Sequence, residues 1–179
     1  DAPLKLFGPG ADSGTFDYFT EAVNHKAKSS RGDFTASEDD NVLVQGVSRD
    51  TNALGYFGFA YYDENKGKLK AVPIVNPKGK AVAPSIEAVM AGEYEPLARP
   101  IFIYVSAKSM ERAEIREFVE FYLKHGGKLA KEVKYVPLGD ADYKHALENF
   151  SKKKTGTGFG GEAEVGVKVS DLLKRNPKE

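Results

Sequence analysis

The residue types best suited to chemistry are Asp12, Ser13, Gly14 and Thr15, which follow a Gly8-Pro9-Gly10 turn and open a segment with apolar Phe16, Phe19 and Val23 at helical spacing. A helix start presents N–H groups without acceptors and the positive end of the helix dipole, so it can hold an anion. Ser13 and Thr15 add hydroxyl donors, and Gly14 lets an oxyanion approach the backbone with no Cβ in the way. The competing reading is an ordinary N-cap, in which Ser13 or Asp12 accepts from its own helix.

Asp-Ser-Gly is also compatible with a serine nucleophile, which would need a histidine base and an orienting acid. The histidines are poorly placed for that role. His25 falls roughly 15 Å along the same helix, His125 abuts a glycine pair and His145 lies on a polar helix face. None has metal-ligand spacing. Gly156-Thr-Gly158-Phe-Gly160-Gly161 follows a lysine-rich helix end rather than a strand, so it reads as a structural turn and not a dinucleotide loop. Glu38-Asp39-Asp40 offers carboxylates to a hard cation, but acidic residues also suit a helix start, as do Asp140 and Asp142. Lys152 to Lys154 reads as a solvated helix end.

The elements that must position these groups alternate. Leu4 to Phe7 reads as a strand before the Ser13 helix, and a second helix carries Val42, Leu43 and Val47 with Ser37, Asp39 or Asp40 as cap. Leu54 to Tyr62 is aromatic-rich and predicts a buried strand, and Lys70 to Val75 predicts another. Asn76 to Pro100 is proline-rich, with a short helix at Ser85 to Met90, and suits a connection between lobes. Ile101 to Val105 is continuously apolar, which predicts a strand covered on both faces. Ile115, Phe118, Val119, Tyr122 and Leu123 define a helix expected to end at Gly126-Gly127. Tyr143, Ala146, Leu147 and Phe150 define a shorter one, and Val169 to Leu173 a final turn. Strands alternating with helices make this an α/β chain.

Composition narrows the classes. The chain has 179 residues, 41% of them hydrophobic, so it can build a core. Lys plus Arg and Asp plus Glu both number 26, leaving no net field toward nucleic acid or an anionic membrane. Any anion site must be local. With no Cys there is no disulfide framework, thiolate zinc cluster or cysteine nucleophile. Asp1 stands where Met is usual, which suggests a processed product or a piece of a longer protein.

The segment Gly8-Pro-Gly-Ala-Asp-Ser-Gly-Thr-Phe-Asp-Tyr-Phe19 resembles the phosphate-binding subunit of bacterial phosphate ABC transporters. Arg31 to Val47, Ala53 to Tyr62 and Pro96 to Val105 agree with that family in the same order, and so does the end, with Phe159-Gly-Gly and Val165-Gly-Val. The resemblance therefore runs through nearly the whole chain.

That resemblance implies a periplasmic binding protein-like fold of two lobes, with residues 1–96 as the inserted lobe and 97–179 as the C-terminal share of the other. It implies a periplasmic or otherwise extracytoplasmic receptor that is not an enzyme, uses no cofactor or metal, delivers inorganic phosphate to an ABC transporter permease, and can be membrane-anchored in its full-length precursor. The phosphate ligands it implies are Ser13, Gly14 and Thr15, with Asp12 ahead of them as proton acceptor or as a group orienting an arginine. Other branches place an arginine just before the motif; here it is replaced, and Arg31 is the candidate guanidinium. The family's N-terminal segment, which supplies further ligands, has no counterpart in this sequence, so a companion fragment is expected to complete the first lobe.

Overall fold

A computed structural model describes residues 2–161 and 164–175. The chain forms two compact units, Asp1–Pro84 and Ser85–Glu179.

The first unit is α/β. Strand β1 (Lys5–Gly8) leads through the glycine turn into helix α1 (Gly14–Asn24), then β2 (Thr35–Ala36), α2 (Asp40–Ser48) and β3 (Ala53–Gly55). The sheet order is β2-β1-β3, all parallel, with Phe7 opposite Thr35 on one side and Gly55 on the other. Parallel neighbours need crossover connections, and α1 and α2 supply them. The core is formed by Phe16 of α1 with Leu43 and Val44 of α2, all buried. Thr20 is buried without penalty, because its hydroxyl donates to the Phe16 carbonyl at 2.8 Å and accepts the Lys28 N–H at 2.7 Å. On α2 the buried stripe is Leu43 and Val44, whereas Val42 is 48% exposed, so the predicted apolar face is rotated by about one position.

Two strand expectations in this unit require correction. Leu54 to Tyr62 is not one strand: pairing ends where the Tyr56 N–H donates to the Phe7 carbonyl at 3.3 Å, and helix α3 (Phe59–Glu64) follows Gly58. Aromatic residues serve a buried strand or a short packed helix equally well, and in α3 Phe59 and Tyr62 meet at i, i+3. Of Lys70 to Val75 only β4 (Ile74–Val75) is extended and paired, antiparallel to the unanticipated β5 (Ala81–Val82). Asn76 shapes the turn between them by accepting from the Lys78 and Lys80 N–H groups at 3.0 and 3.1 Å.

The second unit is helical among its described residues. Helix α4 (Ile86–Met90) is capped by Ser85, whose hydroxyl accepts the Ala88 N–H at 3.0 Å. A 3-10 turn at Ser109–Glu111 precedes α5 (Ala113–Glu132), α6 (Asp140–Ser151) and α7 (Val169–Leu172). Helix α5 runs through Gly126 and Gly127 rather than ending there. Those glycines face Tyr143 of α6, whose ring lies 2.8 Å from where a Gly126 Cβ would sit, so the pair permits close helix packing. Ile101 to Val105 forms no strand. Ile101 is 70% and Tyr104 85% exposed, and no described residue bonds to the backbone of 101–105. An apolar run becomes a strand only beside a neighbouring strand, and none of the described residues provides one.

Leu43 has no exposed surface. Leu43→Ala should destabilise the first unit by about 2–5 kcal/mol, measured as a lower urea midpoint by circular dichroism.

Candidate anion site at the start of helix α1

The site begins with the glycine turn. Gly8, Pro9 and Gly10 are buried, and a Cβ on Gly8 would lie 2.8 Å from the Tyr56 ring. At Gly10 a Cβ would collide with Oε1 of Glu38, so the Glu38 carboxylate covers that backbone. The Ser37 N–H donates to the Gly8 carbonyl at 3.2 Å, continuing the β1–β2 contact beyond the strands. Tyr56 in turn stacks on Phe19 of α1, ring centroids 3.8 Å apart. Burial pushes the Tyr56 hydroxyl up to about 12, so it is a neutral phenol at physiological pH.

Ser13 is the N-cap of α1: its backbone is extended and its hydroxyl accepts the Thr15 N–H at 3.2 Å. The capping alternative weighed for Ser13 is therefore what its hydroxyl does here, while Asp12 lies exposed in the preceding turn. Capping does not exhaust the helix end. Neither the Gly14 nor the Phe16 N–H has an acceptor among the described residues, and Gly14 is exposed. Asp17 in the first turn has an enclosed Oδ1 with no hydrogen-bond partner among the described residues, and Lys28 Nζ stands 3.9 Å away.

Arg31 lies on the exposed loop between α1 and β2. Its Nε and Nη2 donate to the Asp33 carboxylate at 2.7 and 2.5 Å, which raises the guanidinium and lowers the carboxyl. These bonds go to Asp33 and not to Asp12, Ser13 or Gly14. The loop is nevertheless tied to the helix start, because Phe34 stacks on Phe16 with centroids 6.0 Å apart.

The three consecutive acids serve three partners. Glu38 covers Gly10, Asp39 caps α2 by accepting the Asn41 N–H at 2.9 Å, and Asp40 accepts the Gly58 N–H at 3.3 Å. They do not converge on a cation, and among the described residues no group of three His, Asp or Glu is arranged to hold a metal. Glu38 and Tyr56 were not singled out for this site from sequence. Their only signals were an acidic run after β2 and an aromatic run after β3, neither of which names a partner.

Residues 1–125 match the model of a PBP superfamily domain. The chain belongs to the PBP superfamily. It is 57% identical over 172 residues to Protein SphX of Synechococcus elongatus, an alignment covering 96% of this chain and 51% of that protein. It is 38% identical over 155 residues to the phosphate-binding protein PstS of Staphylococcus haemolyticus, covering 85% of this chain and 47% of that one. A crystal structure described as that of a possible phosphate binding protein from Planctomyces limnophilus superposes with a TM-score of 0.70 at 47% identity, covering 86% of this chain and 54% of that one. The chain thus spans about half the length of these relatives. The α/β, periplasmic binding protein-like fold class agrees with both the family match and this neighbour.

Ser13→Ala should destabilise α1 by about 0.5–2 kcal/mol and Ser13→Gly by only a few tenths, read from urea midpoints. Burial raises Asp40, with Gly58 opposing and Asp39 and Glu38 adding to the rise. The native state then holds this proton more tightly than the unfolded chain, so stability falls as pH rises through the carboxylate range. Asp40→Asn should accordingly gain stability near neutral pH and lose that gain in acid, in the same denaturation assay.

Proposed function

We propose that this chain is part of an extracytoplasmic receptor that binds inorganic phosphate at the start of α1 and delivers it to an ABC transporter permease. The observation that carries the reading is the helix start itself, with an exposed glycine N–H that has no acceptor among the described residues, beside the Ser13 and Thr15 hydroxyls. Its likeness to a relative named as a phosphate-binding protein supports the choice of anion.

In this reading Gly14 contributes its N–H, and Ser13 and Thr15 their hydroxyls, as phosphate donors. Ser13 can keep its cap while doing so, because the hydroxyl oxygen accepts from Thr15 and its proton remains to donate. Arg31 exchanges Asp33 for phosphate by a loop movement that Phe34 anchors. A desolvated dianion needs most of its oxygens bonded, and each charge-assisted bond contributes roughly 1.5–3 kcal/mol. Phosphate at neutral pH keeps a proton that a carboxylate accepts, whereas sulfate would meet an unpaired, repelling acceptor. Asp12 is the candidate for that acceptor, or orients the arginine. No catalysis is part of the reading.

Residues 1–96 correspond in this proposal to the inserted lobe and 97–179 to the C-terminal share of the first lobe, with a companion segment completing that first lobe and contributing ligands. Among the described residues no helix is long and apolar enough to cross a membrane. Placement outside the cytoplasm rests on the family relationship, with any anchor in a precursor.

The chain has no Trp, so calorimetry is the direct test. Phosphate should give saturable heat at neutral pH that sulfate does not reproduce. Ser13→Ala, Ser13→Gly and Thr15→Ala should each weaken binding, by about tenfold for each 1.4 kcal/mol lost, with Thr15→Val as the steric control and Arg31→Ala the most damaging. Weakening by Ser13→Ala but not Ser13→Gly would assign Ser13 to capping alone, and unchanged affinity in all three would remove this helix start as the site.

A further inference from the structure

We infer that the first unit carries a second ligand site, a groove at the amino ends of β1 and β3 that takes a compact small molecule with three or more negative charges. The inference goes beyond the phosphate reading and does not depend on it.

The sequence supplies the charge. Lys66, Lys68, Lys70, Lys78 and Lys80 fall between residues 65 and 86, a stretch with no Asp or Glu, although the chain as a whole is neutral. A field this local acts on an anion at close range and does not extend to a distant polymer or membrane.

The fold gathers part of that charge with an arginine. Arg49, Thr51, Lys68 and Lys70 line a groove of about 290 Å³, close to the lower limit for small-molecule sites. Two backbone turns form its walls. On one side the Arg49 N–H donates to the Val47 carbonyl and the Ala53 N–H to the Asp50 carbonyl at 3.1 Å, which closes the connection from α2 to β3. On the other the Asn65 carbonyl accepts the Lys68 and Leu69 N–H groups at 2.8 and 3.2 Å, just after α3.

Asp50, the acid of the lining, is already compensated. Its Oδ2 accepts from Lys5 Nζ at 2.5 Å and its Oδ1 from the Asn52 N–H at 2.8 Å. Arg49, Lys68 and Lys70 have no acidic partner among the described residues. Three cations around one small volume repel one another, and an anion that bridges them removes the repulsion while accepting charge-assisted bonds. Arg49 offers a planar fork and the lysines point charges, a set that serves phosphate oxygens and carboxylates alike.

The groove is separate from the α1 start. Lys5 and Ala53 pair at the amino ends of their parallel strands, whereas Gly8 leads toward Ser13 from the carboxyl end of β1. The four residues of β1 set these ends roughly 10 Å apart.

The test is calorimetry of the chain with sodium tripolyphosphate and, separately, with citrate at physiological ionic strength, with amide chemical shifts to locate the binding. The expected result is saturable one-to-one binding of at least one of the two, weakened by added salt, with shifts centred on 47–53 and 68–70. Arg49→Gln, Lys68→Gln and Lys70→Gln alter exposed side chains. Each should weaken binding about fivefold and the triple variant about a hundredfold, while Lys144→Gln on α6 changes nothing. No saturable binding of either anion, binding that the triple variant retains, or shifts centred on 13–16 would each overturn the inference. Orthophosphate is titrated separately, so a protein that binds tripolyphosphate or citrate in the groove but not phosphate would refute the α1 site and leave the groove standing.

Discussion

The start of α1 depends on how closely two pieces of chain approach the Gly8-Pro9-Gly10 turn. The Tyr56 ring and the Glu38 carboxylate occupy the volumes that side chains at Gly8 and Gly10 would fill. Because those positions carry no Cβ, the end of β1 can lie against the segments that follow β2 and β3 at once. The turn is thereby held from both sides, and Ser13 is delivered to the point where it caps the helix. The direction of α1, and hence of its N–H groups, is a consequence of that packing.

The acidic and aromatic residues around the turn gain meaning only from it. Glu38, Asp39 and Asp40 form one run in sequence, but Glu38 lies over a glycine, Asp39 caps a helix start and Asp40 accepts a loop N–H. Tyr56 joins β3 to α1 through Phe19, and Phe34 joins the Arg31 loop to the same helix through Phe16. Two aromatic contacts therefore tie the segment after β3 and the loop before β2 to one helix.

The second unit obeys a different rule. Its longest helix tolerates two interior glycines because Tyr143 of α6 fills the space they leave. Its buried large apolar side chains among the described residues are Val119 and Leu172, whereas its apolar stretch at Ile101–Val105 faces outward. Burial of apolar area is the main stabilising term in folding, so the close packing of α5 against α6 carries more of this unit's described core than the 101–105 stretch does.

Much was legible in the sequence. Strand, glycine turn and capped helix at Leu4 to Val23 were readable because turn chemistry, cap preference and helical spacing are local properties. The same holds for α2, α4 and α6, whose caps or apolar periodicity lie within a few residues of each other, and the motif order carried the family. What the sequence could not contain is partnership. Whether Leu54 to Tyr62 continues as a strand was decided by Gly58 and Asp40, 18 residues apart. Whether α5 stops at Gly126 was decided by Tyr143, and whether Ile101–Val105 pairs was decided by what lies beside it. Local preference is a matter of fractions of a kcal/mol per residue, and a close contact or a paired strand outweighs it. The sequence by itself determined the local elements and the donor-rich helix start; the tertiary structure alone decided which of their surfaces are closed and which are left open.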